Sequence, residues 1–193
     1  MSDVVVFMSL TLDGVMQAPG RPDEDRRGGF EHGGWATPYA DEATGRMAAD
    51  GMANTGALIL GRRTYEDILP FWNTAGGPFK DMLNDTTKYI ASQTLHEPLV
   101  WPNSTLLAGD AVDGVASLRA RPGMDLVILG SGDLVRSLMR RDLVDRYVLL
   151  IHPIVLGGGQ RLFGDGVPTA ALRLVDSRAT STGVTMATYA PVR

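Results

Sequence analysis

Residues Gly61-Arg62-Arg63-Thr64-Tyr65-Glu66 follow directly on the apolar run Ala57-Leu58-Ile59-Leu60. The run reads as a buried strand, and the hexapeptide as the start of a helix with two arginines in its first turn. A helix N-terminus carries free N–H groups and a partial positive charge, which favour acids there and disfavour cations. Each guanidinium placed there costs roughly 0.3 kcal/mol or more unless an anion sits among them. A phosphate would supply that anion, because free N–H groups and guanidinium forks both suit its oxygens. The competing reading is a surface corner whose arginines are simply solvated.

Two other strand ends carry groups of the same kind. Ser92-Gln93 offers side-chain donors after Lys88-Tyr89-Ile90-Ala91. Gly130-Ser131-Gly132 follows Asp125–Leu129 and lets backbone approach a pyrophosphate at a helix start. That turn lacks the third glycine of the dinucleotide fingerprint, because Val135 stands there. Asp133, in the first helical turn, suits the helix but repels a phosphate set too close. A further loop, Gly157-Gly158-Gly159, lies near Arg161 and could either receive a substrate phosphate or merely join strands. Asp41 and Glu42 stand where a helix begins, so the dipole alone would also explain them. His32, His96 and His152 are scattered and show no metal-ligand spacing.

These groups need elements to hold them. Val4–Leu10 reads as a first buried strand that runs into an Asp13-Gly14 turn. Residues 18–34 are rich in Gly, Pro and charge, which inside a domain marks a disordered segment or a functional lid. A helix is predicted over Pro38–Ala53, with a second from Arg62 to about Phe71 and a short one over Phe79–Asn84. Strands follow at 88–91, 105–107 and 125–129, with helices from Asp110, a plausible N-cap, and from Gly132. Val144–Ile151 is a long strand, and 171–175 and 184–189 form an antiparallel pair. Strands alternate with helices up to residue 151 and then come in succession. That pattern predicts one α/β domain over 1–193, with a mainly parallel sheet and an antiparallel C-terminal edge.

The bulk numbers narrow the partners. The chain has 193 residues, 44% of them hydrophobic, with a net charge of −4. No broad basic field exists, so nucleic acid and anionic membrane are not expected partners, and any anion must be caught by a local cluster. The absence of cysteine excludes thiol catalysis and cysteine-ligated zinc, and fits a reducing cytoplasm. No apolar stretch approaches the length of a membrane span.

The ordered set of segments resembles the dihydrofolate reductase superfamily, in the branch of the riboflavin biosynthesis reductase, the RibD C-terminal domain. Leu12-Asp13-Gly14-Val15-Met16 is similar to its first-strand loop, and Leu60-Gly61-Arg62-Arg63-Thr64-Tyr65 to its Gly-Arg-x-Thr-aromatic signature. The segment His152 to Phe163, with its Pro153 and glycine triplet, resembles the riboflavin-reductase branch alone. The resemblance implies a three-layer αβα fold and an NADPH cofactor. Ser9 and Met16 would flank the nicotinamide, with Gly61, Arg62, Arg63 and Thr64 on the phosphates. Ser92 and Gln93 would hold the adenosine 2′-phosphate, and Gly130, Ser131, Gly132, Asp133 and Leu134 the pyrophosphate. Gly158 and Arg161 would face the substrate.

For catalysis the resemblance singles out Asp13, Trp35 and Asp41. Trp35-Ala36-Thr37-Pro38-Tyr39-Ala40-Asp41 is similar to the folate-reductase entry to the substrate helix, but its acid falls one residue late. One residue is about 100° of helix rotation, which argues against folate chemistry. The resemblance implies a homodimeric reductase of a small molecule, and the cysteine-free composition a cytoplasmic one. A non-catalytic NADP-binding sensor and a true dihydrofolate reductase are the competitors.

Overall fold

Val4–Thr11 forms strand β1 and sits inside the sheet because both of its faces are apolar. Val4, Val6, Met8 and Leu10 point to one side, Val5 and Phe7 to the other, and all are buried. Continuous apolar runs of this kind belong to strands covered on both faces. The computed structural model, which describes residues 1–192, continues with α1 (Glu42–Met52), β2 (Thr55–Gly61), α2 (Arg62–Ala75), α3 (Pro78–Asp85), β3 (Thr87–Ala91) and β4 (Ser104–Leu106). Then come α4 (Ala111–Arg119), β5 (Asp125–Leu129), α5 (Gly132–Met139), β6 (Arg146–His152), β7 (Leu172–Ala179) and β8 (Thr185–Pro191).

The eight strands form one sheet in the order β4-β3-β2-β5-β1-β6-β8-β7. Pairing is parallel from β4 to β6 and antiparallel through β8 and β7. Helices α4 and α5 cover one face through Val115, Leu118, Leu134, Val135 and Leu138. Helices α1, α2 and α3 cover the other through Met47, Met52, Tyr65, Leu69 and Leu83. This is the three-layer α/β arrangement with an antiparallel C-terminal edge. No helix among the described residues is long and apolar enough to cross a membrane.

Three boundaries differ most from the sequence expectation, the others by one or two residues. The helix expected from Pro38 starts at Glu42, because Asp41 takes an extended conformation and caps it by accepting the Thr44 N–H. Pro38 lies instead in a separate 3-10 turn, Thr37–Tyr39. Helix α2 runs past Phe71 to Ala75, with Pro70 inside it, and Gly76 at φ 77° ends it. Strand β7 extends to Ala179 through a bulge between Leu174 and Asp176.

Lys88 is a fully buried strand residue. Its ammonium donates to the carbonyls of Leu83 at 2.5 Å, Thr86 at 2.7 Å and Asn84 at 3.4 Å, at the C-terminal end of α3. A cation is favoured at that end of a helix, while burial pushes its pKa down to about 8.

The segment 18–34 is ordered and strapped down. Arg21 pairs with Asp67 of α2 and sits 4.5 Å over the Phe71 ring. Gly34 N–H donates to Ala18 O at 2.8 Å, and the buried Gln17 amide donates to the carbonyls of Asp25 and Arg27. At the other end Phe30 packs with Val15 and Trp35. The segment thus spans from α2 to the end of β1.

Candidate cofactor and substrate site

The starts of α2 and α5 are tied together. Thr64 Oγ1 accepts from Ser131 N–H at 3.2 Å, and Ser131 Oγ accepts from Gly61 N–H at 2.9 Å. Ser131 and Thr64 hydroxyls also lie 3.1 Å apart. Ser131 adopts the left-handed conformation, φ 55°, which turns the end of β5 into the helix. Both helices therefore begin side by side at the carboxyl ends of adjacent strands, where ligands gather in α/β sheets. The first-turn N–H groups of each have no intrahelical partner.

Two acids answer the arginines. Arg62 pairs with Glu66 at 3.0 Å and Arg63 with Asp133 at 3.6 Å. All four side chains are well exposed, and such pairs are worth roughly 0–1 kcal/mol. They are weak enough to yield to a bound anion. The β2–β3 register sets Gly61 opposite Ala91, so Ser92 follows beside Arg62. Its hydroxyl accepts from the N–H groups of Thr94 and Leu95 in a tight turn, and Gln93 is exposed.

Beyond β1, Asp13 is a hub. Its carboxylate accepts from Thr11 Oγ1 at 2.6 Å, Gly157 N–H at 2.9 Å, Arg161 Nη2 at 3.1 Å and Leu156 N–H at 3.2 Å. The Thr11 hydroxyl, the two backbone N–H groups and Arg161 outweigh its burial and hold the carboxyl well below the usual range. Asp13 thus stays ionised and has no proton to give at neutral pH. Arg161, expected to face substrate, spends its guanidinium on Asp13 and on the Gly157 carbonyl. These bonds lay the glycine loop along residues 11–16, with Met16 N–H donating to Gln160 O at 2.8 Å. A methyl group on Gly132 would overlap the Met16 thioether, so Met16 reaches the start of α5.

Trp35 is buried, donates its indole N–H to Gln17 O at 2.7 Å, and packs edge-to-face on His152 at 5.2 Å. Asp41 stands apart from this group. Its partners are Thr44, at the start of α1, and Ser181, on the β7–β8 hairpin. The Thr44 bonds hold its carboxyl below the ordinary value. Ser9, half-buried on β1, stands opposite Leu150 of β6. Between the strap and the glycine loop lies a cavity of about 400 Å³, lined by Gln17, Arg27, Phe30, His32, Gly158 and Gly159 among others. Among the described residues no group of three His, Asp or Glu could hold a metal ion.

Neither Gln17 nor His152 is given a site role by the sequence alone. Gln17 carries no motif signal, whereas His152 opens the segment that marks the riboflavin-reductase branch. A histidine closing an apolar strand was the available clue.

A mixed α/β sheet between two helical layers, with two conjoined helix starts at its carboxyl edge, is the dihydrofolate reductase-like fold. Residues 2–186 match the RibD C-terminal domain, and the chain belongs to that family. It is 32% identical over 109 residues to YyaP of Bacillus subtilis (strain 168), a match spanning 56% of each chain. In structure it resembles a candidate riboflavin biosynthesis protein from Shewanella sp. PV-4, with a TM-score of 0.70 and 24% identity over all of both chains. It also resembles the dihydrofolate reductase of Enterococcus faecalis, solved with NADP(H), with a TM-score of 0.62 and 12% identity over 98% of this chain and 96% of that one.

Proposed function

We propose that the protein is a cytoplasmic NADPH-dependent reductase of a small substrate, of the ribosylaminopyrimidine reductase type. One observation carries the reading: Thr64 and Ser131 lock the starts of α2 and α5 into one donor-rich edge flanked by Arg62 and Arg63. The N–H groups of both first turns fit a pyrophosphate. Arg62, Arg63 and Ser92 fit an additional phosphate and so favour NADPH over NADH. The cofactor, when bound, supplies the hydride. The chain supplies position and water exclusion. Asp13 is a positioning residue that builds the pocket wall, and with both carboxylates ionised the proton of the reduction is drawn from water. The same spent carboxylates favour a second reading, a domain that binds the nucleotide without turnover.

Titration with NADPH and NADH, followed by tryptophan fluorescence, tests the proposal. NADPH is expected to bind selectively, and the Arg62→Ala/Arg63→Ala variant to weaken it at least tenfold, or about 1.4 kcal/mol. Failure of the wild type to bind either nucleotide at millimolar concentration overturns the cofactor assignment. Binding without oxidation of NADPH by any pterin or aminopyrimidine leaves the sensor reading in its place.

The proposal extends to assembly as a homodimer. It is supported by the apolar side chains that the sheet leaves uncovered near β7, among them Leu174 and Val175.

A further inference from the structure

His152 closes β6 at the carboxyl edge of the sheet, opposite Thr11 of β1. It is 3% exposed, and it belongs to neither the phosphate edge nor the Asp13 hub. Its Nδ1 lies 3.1 Å from Leu150 O and 3.3 Å from Leu10 O. Both are acceptors, so Nδ1 must carry the hydrogen, and Nε2 of the neutral ring is left with a lone pair. Burial holds the imidazole pKa below its ordinary value, so the ring stays neutral at pH 7.

The distal nitrogen has no hydrogen-bond partner among the described residues, yet it is not sealed from solvent. Trp35 and Tyr39 pack edge-to-face against the ring at 5.2 Å and 5.8 Å. Both come from the stretch that links the strap to α1, and Tyr39 also donates to Pro153 O at 3.4 Å. An acceptor that solvent still reaches can exchange water for the donor of a ligand. The ring that carries it is flanked by these two aromatics, at the end of the sheet where ligands gather. Aromatic rings around one fixed polar atom suit a flat heterocycle, with the polar atom setting its orientation.

We propose that Nε2 of His152 is the recognition point of the substrate pocket and accepts a hydrogen bond from a ring N–H of a nitrogen heterocycle. The inference rests on the reductase reading and names a residue that specifies its substrate. It predicts discrimination against analogues that present a carbonyl or a ring nitrogen lone pair at that position, because two acceptors would then meet.

The test uses the full chain labelled with 15N-histidine, observed by long-range proton–nitrogen NMR. In the free protein His152 is expected in the Nδ1–H tautomer at pH 7, and the Nε2–H tautomer would overturn the proposal. With NADP+ saturating, 5-aminouracil is then titrated as the probe. The Nε2 resonance is expected to shift, and His152→Asn to weaken 5-aminouracil about tenfold. The asparagine amide keeps an N–H for the two strand carbonyls but has no distal acceptor. His152→Gln, which returns an acceptor to that position, is expected to recover part of the loss. A merely structural histidine would move the melting temperature and leave the probe's affinity intact. The asparagine variant loses the ring contacts and some melting temperature with them, but should bind NADPH as the wild type does. Equal probe affinity in wild type and His152→Asn overturns the proposal, as does an unmoved Nε2 at millimolar probe. If the wild type binds no nucleotide, the reductase reading falls. The same titration on the free protein then judges His152 alone, by the same two outcomes.

Discussion

At the scale of single residues, the carboxylate of Asp13 is the most connected polar group at the end of β1. Four donors converge on it from three stretches of chain, at Thr11, at Leu156 and Gly157, and at Arg161. Asp13→Asn keeps the shape but turns one acceptor into an N–H facing other N–H groups. It is expected to cost about 2 kcal/mol. The sign with pH follows from the depressed folded pKa. The stabilisation is full above the unfolded value near about 4 and is lost as pH falls through the folded one. Urea midpoints should therefore separate wild type from variant clearly at pH 7, and the gap should close progressively below about pH 4. A gap independent of pH would show that the ionised carboxylate, held first by the Thr11 hydroxyl, is not the source.

At the scale of elements, the strap is held by backbone proximity as well as by charge. A methyl group on Gly33 would stand 2.6 Å from Arg21 O and 2.8 Å from Pro22 O, both rigid backbone atoms. Gly33→Ala is thus expected to lift the strap at a local cost of about 1–3 kcal/mol. Limited trypsin digestion checks this, since cleavage at Arg21, Arg26 or Arg27 should accelerate well before global unfolding does. The strap also shows what a sequence conveys and what it withholds. Its Gly, Pro and charge content marks a disordered segment or a functional lid, but Arg21 and Asp67 are 46 residues apart, and no periodicity links them. The strand-to-helix joins at Leu60-Gly61 and Leu129-Gly130 were legible because continuous apolar runs break sharply at glycine. The Asp110 cap was legible because an acid stands directly before a helical stripe, and it accepts from Val112 and Asp113 N–H as that position predicts. Asp41 was harder, because Pro38 offers an equally good helix start three residues earlier. Only the Thr44 bond and the extended backbone decide between them. The two helix starts were legible in their residue types, while their coupling through Thr64 and Ser131 depends on β2 and β5 being sheet neighbours, which local sequence does not state.

At the scale of the whole molecule, the layers are unequal. Helices α4 and α5 pack over the parallel half of one sheet face, and β7, at the far edge, is exposed along most of its length. Leu174 and Val175 are about half exposed, at 54% and 49%, and Phe163 and Leu12 also reach solvent. Beside them an apolar hollow of about 290 Å³ is lined by Leu10, Leu149, Ile151, Leu172 and Tyr189, among others. Protruding apolar side chains next to an apolar hollow are what the proposed two-fold interface would pair. Thr11, Leu12 and Gly14 line the same hollow, so a second copy docked there would brace the turn that carries Asp13. Leu174→Glu places a charge in that contact and leaves the core untouched. Sedimentation at micromolar concentration should then give twice the chain mass for wild type and the single-chain mass for the variant. If the interface braces the turn, the variant should also bind NADPH more weakly at equal fold content. A wild type that sediments as a monomer up to roughly 100 μM would remove the dimer from the proposal, and the exposed edge would need another reason to stay apolar.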